Sequence, residues 1–153
     1  KPAILSTGMA SLSEIDEAVK TIRQGGSEQI ALLKCTSAYP ASPGEMNLRT
    51  IPHLCSTFKV VAGLSDHTLG NSVATAAVAL GASIVEKHFT LARADGGPDS
   101  SFSMEPEEFA KLVRGIRQVE QALGRVSYER TADETKSVCF RRSLFVVQDI
   151  KAG

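Results

Sequence analysis

Apolar and polar positions along this chain follow two alternating periods. Short runs of consecutive apolar residues are each followed by a longer stretch in which apolar residues return every three or four positions. The first pattern belongs to strands buried on both faces and the second to helices with one buried stripe. The first run, Ala3-Ile4-Leu5, closes in Ser6-Thr7-Gly8-Met9. Ser11 and Glu14 then form a capping-box pair, and Ile15, Ala18, Val19 and Ile22 recur at helical spacing until Gly25-Gly26. The second run, Ile30-Ala31-Leu32-Leu33-Lys34-Cys35, passes into Thr36-Ser37-Ala38-Tyr39-Pro40 and a loop rich in turn formers up to Gly44. A helix from about Asn47 to Thr57 is expected next, with Pro52 near its start.

The third run, Val60 to Leu64, ends in Ser65-Asp66-His67-Thr68, and its helix should bury Val73, Ala76, Ala77 and Leu80 before stopping at Gly81. The fourth, from Ser83, reaches Glu86-Lys87-His88-Phe89-Thr90 and an irregular loop from Leu91 to Ser101. The longest helix opens at Pro106, with Glu107 and Glu108 in its first turn and Phe109, Leu112, Val113, Ile116, Val119 and Leu123 as its stripe. Beyond Gly124, Thr131 to Val138 suits a short helix, and Ser143-Leu144-Phe145-Val146-Val147 reads as a strand outside the repeat.

The strands begin near residues 3, 30, 60 and 83, a repeat of about 23 to 30 residues, which is the period of a TIM (β/α)₈ barrel. The predicted class is therefore α/β, with four βα units making half a barrel over residues 1–124 and a linker over residues 125–153. A doubly wound sheet shows the same alternation but more often carries a glycine-rich phosphate turn after its first strand, and Ser6-Thr7-Gly8-Met9 is not one.

Composition removes some functions. With 17 basic and 17 acidic residues among 153, nothing draws the chain to nucleic acid or an anionic membrane. No apolar run approaches the roughly 20 residues of a membrane span. Cys35, Cys55 and Cys139 are odd in number and lack a CxxC spacing, which reads as reduced thiols in a cytoplasmic protein. The chain begins Lys1-Pro2-Ala3 without a methionine and stops soon after Asp149-Ile150, so it is expected to be a fragment.

The chemistry sits where the apolar runs end. In extended chain, residues two apart share a face, so Gly63, Ser65 and His67 point together, as do Ile84, Glu86 and His88. Adjacent strands lie roughly 4.8 Å apart. His67 and His88 can thus present two imidazoles to one divalent metal, with Ser65 and Glu86 one position deeper. The plainer alternative is that each histidine hydrogen-bonds at a strand end.

Read together, Ser6-Thr7-Gly8-Met9, Cys35-Thr36-Ser37-Ala38-Tyr39-Pro40, Gly63-Leu64-Ser65-Asp66-His67-Thr68 and Val85-Glu86-Lys87-His88-Phe89 resemble the sialic acid synthase family, in the family's order and spacing. The Cys35 to Pro40 loop and Asp99-Ser100-Ser101-Phe102-Ser103 look most like the pseudaminic acid branch. The family's sugar-loop asparagine falls at Ser37 here, a departure from the neuraminate pattern.

The resemblance implies the last four units of a barrel, followed by an antifreeze-like domain, in a homodimer. It implies condensation of phosphoenolpyruvate with an N-acetylated amino sugar, by an enzyme of which this piece alone would be inactive. His67 and His88 would hold the metal, Mn²⁺ first and Mg²⁺ or Co²⁺ as alternatives. Ser6, Ser37, Tyr39, Ser65 and Asp99 would bind substrate, and Glu86 would orient a histidine or a water. Lys87 should face away and serve structure, Phe102 could meet a sugar methyl group, and His53 has no ligand-like neighbour. N-acetylneuraminate or legionaminate synthesis is the first alternative. More remote are a hydrolase using Asp66 with the two histidines, and an inactive half-barrel module.

Overall fold

The computed structural model describes residues 1–153. Four strands, β1 (Ala3–Ser6), β2 (Ile30–Cys35), β3 (Val61–Asp66) and β4 (Ile84–Lys87), form one parallel sheet in chain order. They alternate with α1 (Leu12–Gln24), α2 (Thr50–Phe58), α3 (Ser72–Ala79) and α4 (Pro106–Leu123). Sequential parallel neighbours joined by helices are the local plan of a (β/α)₈ barrel, and this sheet is half of one.

The helices lie on one side of the sheet, and the main core fills the space between. Leu32, Ala62 and Leu64 of the sheet meet Ile15 and Val19 of α1 and Ile51, Leu54 and Phe58 of α2. The capping box at the start of α1 is present: the Ser11 N–H donates to Glu14 Oε2 at 2.7 Å, and the Glu14 N–H to Ser11 Oγ at 3.4 Å. A second cluster joins Ala74 of α3, Met104 just before α4 and Leu112 of α4.

Three expectations are corrected. The α2 helix starts at Thr50 rather than Asn47, because Pro43–Glu45 forms a separate 3₁₀ turn and Asn47 takes a positive φ of 46°. On α3 the buried stripe is Ala74, Ala77 and Val78, while Ala76 and Leu80 are exposed. The helix is shared between two clusters, Ala77 packing on the sheet side and Ala74 against α4, so its buried stripe is turned from the one expected. The Ser143–Val147 run forms no strand: no ladder partner pairs with it, and its apolar side chains are exposed. Before it come α5 (Ala132–Lys136) and a 3₁₀ turn at Val138–Phe140. No helix is long and apolar enough to cross a membrane.

On the side facing away from the helices, Gly63 lets β3 and β4 close up. A Cβ there would lie 2.4 Å from the Ile84 carbonyl oxygen and 2.7 Å from Leu33 Cδ2. Ile84 is the register partner of Gly63, and the obstacle is backbone that has nowhere to go. Gly63→Ala is expected to destabilise the fold by about 1–3 kcal/mol or more, as overpacking does, and a thermal melt followed by circular dichroism checks it.

Candidate active site

The open face of the half-barrel carries the expected residues at the C-terminal ends of the strands. Ser65 of β3 and Glu86 of β4 are register partners, and the Ser65 hydroxyl donates to Glu86 Oε1 at 2.6 Å. The next residues on that face are His67 and His88, whose rings meet edge to face at a centroid separation of 5.2 Å. Glu86 therefore holds Ser65; it makes no bond to either histidine.

His67 is buried and fixed at two points. Its Nδ1 lies 2.9 Å from the Thr36 carbonyl oxygen. A carbonyl can only accept, so Nδ1 carries the proton and, in the neutral ring, Nε2 keeps its lone pair. The His67 carbonyl in turn accepts the Ala41 N–H at 2.9 Å. The loop after β2 thus grips the end of β3, and Lys34 shapes that loop. Its Nζ donates to the Cys35 carbonyl at 2.5 Å and the Thr36 hydroxyl at 3.1 Å. Burial pushes the Lys34 ammonium below the usual lysine range, a fall that neighbouring Cys35 partly opposes.

His88 is bounded from the other side. Asp99 Oδ2 lies 3.5 Å from its Nδ1, and its carbonyl accepts the Met104 N–H at 2.9 Å. The loop bearing Asp99 is anchored below: the Ser103 hydroxyl donates to the Asp99 carbonyl at 2.7 Å, and Arg93 Nε donates to the Ser103 carbonyl at 3.0 Å. Arg93 also pairs with Glu105 and Glu108. The Glu105 N–H, and with it the Arg93 side chain, holds the Glu108 carboxyl below the usual carboxylate range against the opposing effect of burial.

Tyr39 closes the cluster, its ring 4.3 Å from that of His67, 5.7 Å from that of His88 and 5.9 Å from that of Phe102. Phe102 sits 5.0 Å from His88. The structure therefore brings His67, His88, Tyr39, Asp99 and Phe102 together. Ser37 is exposed beside the turn at Gly8, where an added Cβ would meet its Oγ at 3.3 Å. Ser6 is exposed at the end of the edge strand and its hydroxyl bonds none of the others. His53 is exposed on α2, its Nε2 3.4 Å from the Thr57 hydroxyl.

Asp66 is not on this face. Its Oδ1 accepts the Thr68 N–H at 2.9 Å and the Thr68 hydroxyl at 2.8 Å, and its Oδ2 accepts Lys87 Nζ at 2.9 Å. The hydrolase alternative needs Asp66 beside the histidines, and strand alternation turns it to the opposite side. Lys87 faces away and serves structure as expected, as the buried ion-pair partner of Asp66. Two groups escaped the sequence reading. The Thr36 carbonyl is a backbone atom without a residue signature, whereas the Asp66–Lys87 pairing was available from the alternation that placed the histidines.

Two imidazoles with free Nε2 positions suit a borderline first-row ion. No group of three or more His, Cys, Asp or Glu side chains that could hold a metal ion is present in this chain.

A family model described as the NeuB family matches residues 1–128. The chain is 44% identical over 156 residues to the N,N'-diacetyllegionaminic acid synthase of Campylobacter jejuni, an alignment covering 100% of this chain and 47% of that one. It is 43% identical over 155 residues to the pseudaminic acid synthase of Helicobacter pylori, covering 100% and 45%. The chain thus spans about half the length of the curated relatives it matches. Among solved structures, the N-acetylneuraminic acid (sialic acid) synthetase of Leptospira borgpetersenii, in complex with citrate, superposes with a TM-score of 0.79 at 40% identity, over 94% of this chain and 50% of that one.

Proposed function

This chain belongs to the NeuB family, and from that premise we propose that the protein condenses phosphoenolpyruvate with an open-chain N-acetylated amino sugar to give a nonulosonic acid. In this reaction C3 of phosphoenolpyruvate bonds to the aldehyde carbon, and the aldehyde oxygen takes up a proton. Water then adds at C2, and the bond from C2 to the phosphate oxygen breaks, releasing inorganic phosphate. The observation that carries this reading is the His67–His88 pair, with rings 5.2 Å apart and the His67 Nδ1 proton committed to the Thr36 carbonyl.

His67 and His88 would hold a divalent ion, Mn²⁺ first and Mg²⁺ or Co²⁺ as alternatives. When bound, it supplies Lewis-acid polarisation of the aldehyde oxygen. The chain's other groups bind and orient. Ser6 and Ser37 offer hydroxyl donors to the anionic substrate, and Ser65 joins them when its single proton turns from Glu86 to the substrate. Until then Ser65 donates that proton to Glu86 at 2.6 Å. Tyr39 presents a half-exposed ring to the sugar, and Asp99 accepts from sugar hydroxyls beside His88. The Phe102 ring, against His88 and Tyr39, offers an apolar contact and supports a 6-deoxy sugar. Pseudaminate synthesis is the form proposed, with a homodimer as the assembly and an antifreeze-like domain following the linker.

The test is turnover by the intact protein with phosphoenolpyruvate, Mn²⁺ and three sugars in turn: 2,4-diacetamido-2,4,6-trideoxy-L-altrose, the legionaminic precursor and N-acetylmannosamine. Phosphate release with the altrose sugar alone is the expected outcome. Release with N-acetylmannosamine instead keeps the reaction class and overturns the reading of Ser37 and Phe102. Release with none of them overturns the proposal.

A further inference from the structure

The rung of the sheet immediately before the two histidines is the register pair Asp66 and Lys87. Both side chains point to the helix side and are buried, 0% and 2% exposed. The Lys87 ammonium spends its three donors on Asp66 Oδ2 at 2.9 Å, the Thr68 carbonyl at 2.7 Å and the Gly70 carbonyl at 3.0 Å. Asp66 is itself bonded to both the N–H and the hydroxyl of Thr68. One cation on β4 thus fixes the path of the chain on both sides of His67, at residues 66, 68 and 70, while standing next to His88 in its own strand. No other side-chain bond crosses this rung between the two histidine-bearing ends, and the Ser65–Glu86 bond lies one rung below.

We propose that Lys87 is a positioning residue for the His67–His88 centre: the Lys87–Asp66–Thr68 brace sets the relative placement of the two imidazoles, so that metal affinity depends on a side chain that never meets the metal. The inference rests on the reading of His67 and His88 as joint ligands. Its logic is that of groups behind metal ligands, which fix ligand orientation and whose loss lowers affinity by about 10–100-fold.

The experiment uses the intact protein and three variants, Lys87→Met, Leu112→Ala and the double variant Asp66→Asn with Lys87→Met. Leu112 is fully buried in the second cluster and makes no bond to the Lys87–Asp66–Thr68 brace, and its truncation serves as a destabilised control. Two quantities are read: Mn²⁺ affinity, from the free-ion paramagnetic resonance signal during titration, and the nitrogen-15 imidazole resonances of the metal-free protein. Lys87→Met should lower Mn²⁺ affinity about tenfold or more and shift the resonances of both His67 and His88, with Leu112→Ala changing neither. If Lys87→Met does not fold, the double variant, which buries no unpaired charge, carries the same two expectations. Wild-type affinity together with wild-type imidazole resonances in a folded Lys87 variant would overturn the inference, as would an equal loss in Leu112→Ala. Should the wild-type protein take up no Mn²⁺, the joint-ligand reading fails, and the imidazole resonances alone then decide whether the brace positions the rings.

Discussion

Replacing His67 by alanine should lower turnover of the intact protein with phosphoenolpyruvate and the accepted sugar by about a thousandfold. Lewis-acid stabilisation of developing charge is worth several kcal/mol, and each 1.36 kcal/mol is a factor of about ten in rate. The substitution also strips the Thr36 carbonyl of its donor, which costs about 1–3 kcal/mol of stability. His88→Ala provides the cleaner comparison, because His88 is less buried and its Nδ1 meets only Asp99, at 3.5 Å. The two variants should lose turnover to a similar extent while differing in thermal stability. Steady-state phosphate release with a parallel melt reads both quantities. Turnover within tenfold of wild type in a folded His88→Ala protein would remove the histidine pair from the reaction.

Asp66→Ala should cost about 3–5 kcal/mol of folding stability, because it leaves the buried Lys87 ammonium without its counter-charge. At about 2–4 °C per kcal/mol for a chain of this size, the melting temperature should fall by about 6–20 °C. The contrast is Arg125→Ala, which removes an ion pair 81% exposed on both sides and should change stability by about 0–1 kcal/mol. Thermal melts of the two variants make the comparison. Equal, small shifts would mean that the Asp66–Lys87 pair contributes no more than a surface bridge.

These two expectations come from neighbouring residues on one rung and the next, and they show what the sequence made visible. Alternation along Val61–Asp66 and Ile84–Lys87 was enough to send His67 and His88 to one face and Lys87 to the other, and the structure agrees at each position. The period of the apolar runs was enough for four parallel units. Three features were harder to read. Glu86 could be placed on the right face, but its choice of the Ser65 hydroxyl over a histidine depends on a rung-by-rung register that alternation alone does not supply. The α3 stripe was misassigned because a helix packed on two sides has no single buried stripe to match, as Ala74 and Ala77 in different clusters show. Ser143–Val147 has the β-branched and aromatic composition of a strand, but a strand needs a ladder partner, and composition does not provide one.

Anomalous diffraction from a crystal of the intact protein soaked in Mn²⁺ tests most directly the proposal that His67 and His88 bind one divalent ion through their Nε2 atoms. One manganese peak is expected within bonding distance of both Nε2 atoms, with the His67 Nδ1 still on the Thr36 carbonyl. A manganese peak bound elsewhere, or none between the two rings in a crystal that holds the ion at other sites, would contradict it.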